Sequence, residues 1–135
     1  MSKRRLIDTN LIIRHLVQDN EKQASVAGKL FDACDRGQVE IVVLTAVLAE
    51  CVFVLDSFYE HERADIASAL SRLISSPGVE IVDAGIHLDA LDRYGKTKVH
   101  FVDCLIAATA TAEHTPVASF DQDFRKFNGV RVEFE

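Results

Sequence analysis

The sequence predicts a single α/β domain with a three-layer α/β/α arrangement, in which helices cover both faces of a mainly parallel, five-stranded sheet. Five short runs of β-branched and apolar residues recur along the chain, and helix-like stretches separate most of them. Such alternation is typical of parallel sheets. With 135 residues, 48% of them hydrophobic, the chain is long enough for one core and too short for two ordinary domains. We therefore expect one domain over residues 1–135.

The strand predictions follow these runs in chain order. The expected strands are residues 4–7, 39–44, 79–82, 116–120 and 130–134. Between the first two strands, Asn20 with Gln23 three residues later predicts a helix cap, and Gly37 predicts the end of that helix. The apolar face between these signals is formed by Ala24, Ala27, Leu30, Phe31 and Cys34.

A second amphipathic helix is expected before the third strand. Its apolar side chains repeat at helical spacing, and a turn signal follows them. The face is Ile66, Ala69, Leu70, Leu73 and Ile74, and the turn is Ser75-Ser76-Pro77-Gly78.

Composition argues against several classes of function. The net charge of −6 disfavours a protein that coats nucleic acid electrostatically, although it allows a local basic patch. Cys34, Cys51 and Cys104 are far apart on apolar stretches, which favours reduced core thiols and a cytoplasmic location. The amino terminus lacks the apolar run of a signal peptide, and the apolar stretch 41–55 is short for a membrane span and contains Glu50.

Four acidic residues lie where acidic residues are least expected. Asp8 and Asp121 end predicted strands, whereas Glu50 and Asp103 lie in apolar helical stretches. Burying a lone carboxylate is costly, so such groups are usually paired, neutralised or bound to a cation. If the four converge, they predict a hard divalent cation in an all-oxygen site and metal-assisted hydrolysis.

Asp8 and Asp121 meet only if the first strand is central and the fourth lies beside it. Ligands bind beyond the carboxyl ends of parallel strands, at the point where the strand order reverses. Each residue also has a structural interpretation, Asp8 as the cap of a helix starting at Thr9 and Asp121 as a turn or cap residue before Asp123. The other three acids favour the functional role for Asp8, and both interpretations of Asp121 stay open.

Glu50 is expected to project into apolar surroundings, because Val47, Phe53 and Val54 share its helix face. The alternative is an internal ion pair, which the absence of basic residues between 41 and 55 disfavours. Asp103 is expected in the first turn of a helix, where it could act as a capping anion. The uncharged residues around it favour a helix buried nearly all round, with its end facing a pocket.

Three or four carboxylates suit Mg²⁺ or Mn²⁺, which prefer oxygen ligands and retain several waters. Such an ion can activate water for attack on a phosphodiester. No serine-hydrolase elbow, P-loop, Cys-x-x-Cys or His-Glu-x-x-His motif offers a competing chemistry. The scattered histidines are expected mostly at the surface or in loops: His15, His61, His87, His100 and His114.

Further polar residues near the four acids are candidates for supporting roles. Thr9, Asn10 and Ser119 are able to donate hydrogen bonds that orient the carboxylates, or to act only as capping and turn residues. The stretch 93–100 contains Arg93, Lys96 and Lys98 and no acid. It is either a phosphate-binding segment beside the metal or a solvated basic loop.

The order of these motifs resembles the PIN-domain nucleases over nearly the whole chain. The motifs are Ile7-Asp8-Thr9-Asn10, Glu50 in an apolar helix, Asp103-Cys104-Leu105-Ile106-Ala107-Ala108 and Ser119-Phe120-Asp121-Gln122-Asp123-Phe124. The opening, with Arg14, Asp19-Asn20 and Gln23-Ala24, is most similar to the VapC toxins of toxin–antitoxin pairs.

The resemblance implies an endoribonuclease dependent on Mg²⁺ or Mn²⁺, with Asp8, Glu50, Asp103 and Asp121 as the acidic centre. It also implies an RNA substrate, a homodimer and neutralisation by a cognate antitoxin. Ser119 stands where threonine is more usual, and either Asp121 or Asp123 supplies the fourth carboxylate; we choose Asp121.

Two alternatives remain open at this point. One is a receiver-like signalling domain that binds Mg²⁺ and uses Asp83 as a phosphoacceptor, although it leaves Glu50 and Asp103 unexplained and lacks a lysine after the fifth strand. The other is a PIN scaffold that binds RNA or protein without cleaving it.

Overall fold

The computed structural model describes residues 3–134. Within that range, five short strands alternate with six α-helices and one 3₁₀ helix at Gln122–Lys126. The strands are β1 (Arg4–Leu6), β2 (Glu40–Val42), β3 (Val79–Glu80), β4 (Val117–Ala118) and β5 (Val132–Glu133). The α-helices are α1 (Thr9–Val17), α2 (Glu21–Asp35), α3 (Thr45–Ser57), α4 (Arg63–Ser75), α5 (Ala84–Lys96) and α6 (Phe101–Glu113).

The strands form two small parallel sheets, which confirms the α/β class. In the first, the order is β1-β2-β3, with Leu6 opposite Val42 and Val42 opposite Glu80. In the second, β4 pairs with β5. The prediction of one five-stranded sheet is therefore not met by the described strands, and β1 has no hydrogen-bonded pairing with β4. Strands of two or three residues make few backbone hydrogen bonds, so pairing does not extend from one sheet to the other.

Neighbouring residues differ in burial in β2 and just after β1 and β3, whereas β1 itself is exposed throughout. Ile7, Ile41 and Ile81 are buried in the core, whereas Leu6 and Val82 are 70% and 75% exposed. The predicted helical cover is therefore not observed over Leu6 in β1 or over Val82 after β3. Arg4, paired with Glu40 and Glu80, lies in the same sheet, and burying these charges would cost hydration free energy.

Local signals for the helix ends are confirmed. The Asn20 side chain accepts a hydrogen bond of 3.0 Å from the Gln23 backbone N–H at the start of α2. Gly37 and Gly78 follow α2 and α4 with φ of +76° and +84°. Glycine is also required at position 78 for space, because a Cβ there would lie 2.8 Å from Cys34 Sγ.

The core continues from the sheet into the helices. Large side chains from α3, α4 and α5 fill it, among them Leu48, Leu70, Leu91 and Tyr94. Cys34, Cys51 and Cys104 are buried and unpaired, as predicted. Burial raises the pKa of Cys51 to about 12 and that of Cys104 to about 11, so neither thiol is a nucleophile near neutral pH. Within residues 3–134, no helix is long and apolar enough to cross a membrane.

Candidate active site

Asp8 follows the buried Ile7 and caps helix α1. Its Oδ1 accepts a hydrogen bond of 3.0 Å from the Leu11 backbone N–H, so the capping role is observed. The residue is exposed. A carboxylate has two oxygens with several acceptor sites, and the cap uses only one of them. The structural and functional interpretations of Asp8 are therefore compatible.

Glu50 and Asp8 line the same hollow. Its volume is about 450 Å³, and it is lined by Asp8, Thr9, Asn10, Ile13, Val47, Glu50 and Val54. Both carboxylates also contribute, after burial, to the raised pKa of the Cys51 thiol. The two carboxylates therefore lie near the same part of helix α3, around Cys51.

The expectation that Glu50 is shielded from solvent is wrong. Glu50 is exposed, and Phe53, which was expected on its apolar face, is 67% exposed. The buried face of α3 is instead formed by Leu48, Cys51, Val52 and Leu55. The alternative of an internal ion pair is not observed either, because no basic side chain within residues 3–134 pairs with Glu50.

Asp103 and Asp121 line a second hollow of about 540 Å³. Asp103 lies half-buried in the first turn of α6, as predicted. Its pKa is raised above the usual aspartate value, mainly by burial and then by the negative charges of Asp121 and Asp123, while His100 opposes the shift. Burial of the carboxyl and the negative charges near it both disfavour the ionised form of Asp103, and a bound cation would stabilise that form.

Helix α6 is less buried than the sequence predicted. Val102 is 57% exposed and Ile106 is 41% exposed, so the helix is not enclosed on all sides. The core takes Phe101, Cys104 and Ala107 from its other face. Asp103 nevertheless lines a hollow, and that part of the prediction is confirmed.

Asp121 is held by two local hydrogen bonds. Its side chain accepts from the Asp123 backbone N–H at 2.9 Å and thereby caps the 3₁₀ helix. Its own backbone N–H donates to Ser119 Oγ, also at 2.9 Å. Asp123 forms an ion pair of 3.1 Å with Lys126, whereas Asp121 lines the hollow. These contacts favour Asp121 over Asp123 as the carboxylate that is free to bind a cation.

The structure brings the four predicted acids together as two pairs. Asp8 is grouped with Glu50, and Asp103 with Asp121. Within the described part of the chain, no group of three or more His, Cys, Asp or Glu side chains is positioned to hold a metal ion. Mg²⁺ is commonly held by only one or two carboxylates together with water and substrate phosphates. Each pair therefore has a donor set of the right chemistry, although the four carboxylates do not form one preassembled cage.

The predicted supporting residues take different positions. Asn10 lines the first hollow, and Thr9 lines it beside Asp8. Neither side chain donates a hydrogen bond to a carboxylate within residues 3–134. Ser119 lines the second hollow but accepts from a backbone N–H instead of donating to a carboxylate. Its observed contribution is to fix the backbone of Asp121.

The basic stretch is largely neutralised by the preceding turn of α5. Arg93 Nε lies 3.1 Å from both carboxylate oxygens of Asp89, and Lys96 lies 3.0 Å from Asp92. Lys98 is exposed and forms no ion pair with another described residue. Both ion pairs, Arg93 with Asp89 and Lys96 with Asp92, have an i, i+4 spacing. This spacing is present in the sequence, but the interpretation of the basic stretch did not include it.

The histidines do not form a catalytic arrangement among the described residues. His61, His100 and His114 are exposed, which confirms the prediction for most of them. His87 is buried, and because its Nδ1 lies 3.0 Å from the Asp83 carbonyl oxygen, Nδ1 carries the proton and donates. Its Nε2 then accepts from Thr45 Oγ1 at 2.9 Å, so the buried ring is fully satisfied.

Comparison with known proteins identifies the family to which the chain belongs. The family model of the PIN domain matches residues 5–130, so the chain belongs to the PIN-domain family. Within that family it is VapC-like, as the sequence motifs predicted. It is 24% identical to the VapC ribonuclease of Aquifex aeolicus (strain VF5) over 123 residues, and this aligned region covers 90% of each chain. The receiver-like alternative is therefore wrong.

Proposed function

We propose that the protein is an endoribonuclease that hydrolyses RNA phosphodiester bonds with Mg²⁺ or Mn²⁺ and serves as the toxin of a toxin–antitoxin pair. The observation that carries this proposal is that Asp103 and Asp121 line one hollow, where burial and the charges of Asp121 and Asp123 raise the pKa of Asp103. A second pair, Asp8 and Glu50, lines another hollow, and both residues belong to the motifs on which the resemblance to the VapC toxins rests.

In this proposal the pairs Asp8–Glu50 and Asp103–Asp121 supply the carboxylates that would hold Mg²⁺ or Mn²⁺. When bound, the ion would acidify and orient a water and stabilise negative charge on the phosphoryl oxygens. Ser119 fixes the backbone that carries Asp121, and the exposed Lys98 contacts an RNA phosphate. Arg93 and Lys96 contribute to the same contact only if they release Asp89 and Asp92.

The proposal includes protein partners and a location. A cognate antitoxin would neutralise the enzyme in the cytoplasm, and the enzyme would act as a homodimer. Two acidic hollows on a chain with a net charge of −6 favour a partner that inserts an arginine, whose planar guanidinium matches carboxylate oxygens. An antitoxin whose arginines are replaced by glutamine should lose inhibition; undiminished inhibition would contradict insertion at the acidic centre.

Incubation of the purified protein with total cellular RNA tests the activity. Cleavage is expected with Mg²⁺ or Mn²⁺ and not with a chelator, and sequencing of the cut ends gives the sites. Glu50→Gln should abolish cleavage, whereas Glu62→Gln should not, because Glu62 is exposed and lines neither hollow. RNA binding without cleavage under all these conditions would support the non-catalytic PIN scaffold instead.

A further inference from the structure

A third hollow lies between helices α1 and α2, beside the one that contains Asp8. Its volume is about 380 Å³. It is lined by Asn10, Leu11, Arg14, Lys22, Gln23, Val26 and Ala27, and we call it the α1–α2 cleft. Asn10 also lines the Asp8–Glu50 hollow, so the two hollows share one wall at the start of α1.

The lining of the α1–α2 cleft differs in charge from the rest of the chain. It contains Lys22 and Arg14 and no acidic residue, although the net charge of the whole chain is −6. Lys22 is exposed and forms no ion pair with another described residue. The cleft therefore offers a positive charge to an anionic ligand that extends from the acidic hollow.

The polar side chains of the cleft carry unused hydrogen-bonding groups. Gln23 Oε1 accepts from Arg14 Nε at 2.9 Å, and Arg14 is itself held by Asp19 at 2.8 Å and by Tyr59. This network orients the Gln23 amide and leaves its NH₂ group without an acceptor among residues 3–134. The Asn10 side chain likewise makes no hydrogen bond to another described residue. Amide groups of this kind recognise base edges in RNA.

The remaining lining is apolar. Leu11 and Ala27 supply aliphatic surface, and Val26 is 61% exposed on the helix that carries Lys22. Aliphatic surface beside amide and ammonium groups matches the three parts of a nucleotide, which are a flat base, a polar base edge and a phosphate. A base is able to enter such a cleft only when it is unpaired, because pairing conceals its edge and stacking conceals its face.

We infer that the α1–α2 cleft binds one unpaired nucleotide of the RNA substrate next to the phosphate that is cut. This inference rests on the proposed ribonuclease function and adds the residues that hold the RNA beside the acidic hollow. Lys22 contacts the phosphate, Gln23 contacts the base edge, and Val26 supports the base. The chain of the RNA passes Asn10 to reach the carboxylates of Asp8 and Glu50.

Photocrosslinking tests the location of the RNA without requiring cleavage. A short single-stranded RNA carrying 4-thiouridine at successive positions is irradiated with the full-length protein in a chelator, and crosslinked peptides are mapped by mass spectrometry. Crosslinks are expected within residues 22–27 for one or two adjacent positions of the RNA. Their absence from this segment, in a protein that cuts the same RNA when Mg²⁺ is present, would overturn the inference.

Two substitutions and a matched control test the contribution of the cleft. Lys22→Gln should raise KM for single-stranded RNA by about 3- to 10-fold, because one phosphate contact is lost. Val26→Trp should fill the cleft, raise KM and reduce the crosslinks. Lys29→Gln, on the same helix but outside the cleft lining, should leave KM within about twofold of the wild type.

The outcomes separate the inference from the proposed function. Crosslinks within residues 22–27 in a protein that cuts no RNA would support the cleft and contradict the ribonuclease. An equal increase in KM for Lys22→Gln and Lys29→Gln would indicate a diffuse charge effect and overturn the cleft. The inference would also be overturned if duplex RNA competed with the crosslinked RNA as well as single-stranded RNA does. It would likewise be overturned if a partner protein, and not RNA, protected the residues of the cleft.

Discussion

Substitution of Asp8 separates its structural role from its proposed role in RNA cleavage. Its Oδ1 caps α1 through a 3.0 Å hydrogen bond from the Leu11 N–H, and the same carboxylate lines a hollow with Glu50. Alanine removes both the cap and the charge. Asparagine keeps an oxygen that is able to cap the helix but removes the charge, since Asn and Asp are about equally good N-cap residues.

The two variants should therefore differ in stability and agree in activity. Loss of the cap in Asp8→Ala should lower the free energy of unfolding by about 1 kcal/mol. For a chain of this size, that corresponds to a melting temperature lower by roughly 3–5 °C. Asp8→Asn loses a favourable interaction with the helix dipole but also a repulsion from Glu50, so its stability should stay within about 0.5 kcal/mol of the wild type.

The assay combines urea unfolding with metal-dependent cleavage of one RNA under identical conditions. Both variants should cleave at a small fraction of the wild-type rate. Asp65→Asn is the matched control, because Asp65 is an exposed acid in the first turn of α4 and lines neither acidic hollow. Wild-type cleavage by Asp8→Asn would restrict Asp8 to the capping role and refute its place in the acidic centre.

Three further predictions follow from the geometry. Asp103→Asn should raise the free energy of unfolding near pH 7, because the pKa of Asp103 is raised in the folded state and its ionisation there costs stability. In urea unfolding, this gain should disappear as the pH falls below the ordinary pKa of aspartate, where the wild-type carboxyl is protonated in both the folded and the unfolded state. In a metal titration of cleavage, Asp121→Asn should weaken the metal response more than Asp123→Asn, because Asp123 is paired with Lys126, and the reverse ranking would assign the ligand to Asp123. Tyr94→Phe should lower the free energy of unfolding by about 1–2 kcal/mol, because the buried hydroxyl donates to a carboxylate at 2.6 Å, and an unchanged urea midpoint would refute that estimate.

Local features of the fold were predictable from the sequence because they depend on neighbouring residues. The Asn20 cap and the glycine at 37 each act through contacts within a few positions of the chain, and the structure confirms both. The pairing of strands depends on contacts between distant segments. The sequence identified five strand regions, but it did not indicate that β4 and β5 pair apart from β1.

The wrong prediction for Glu50 has a physical origin in helix α3. Helix α3 carries apolar residues around most of its circumference, so the sequence does not indicate which side is buried. The side with Glu50 and Phe53 is exposed, contrary to the prediction. The ion pairs of Arg93 and Lys96, by contrast, follow from acids one turn earlier and were available from the sequence.

Analysis of the RNA ends after cleavage is the most direct measurement of the central proposal, that the four carboxylates support metal-dependent hydrolysis. A substrate with a single 2′-deoxy substitution at the cut site is treated with the protein and Mg²⁺, and the products are identified by mass spectrometry. If an activated water attacks the phosphorus, the 2′-hydroxyl has no role, and the products carry a 5′-phosphate and a 3′-hydroxyl. A 2′,3′-cyclic phosphate as the primary product, or failure to cut the 2′-deoxy substrate, would contradict this account.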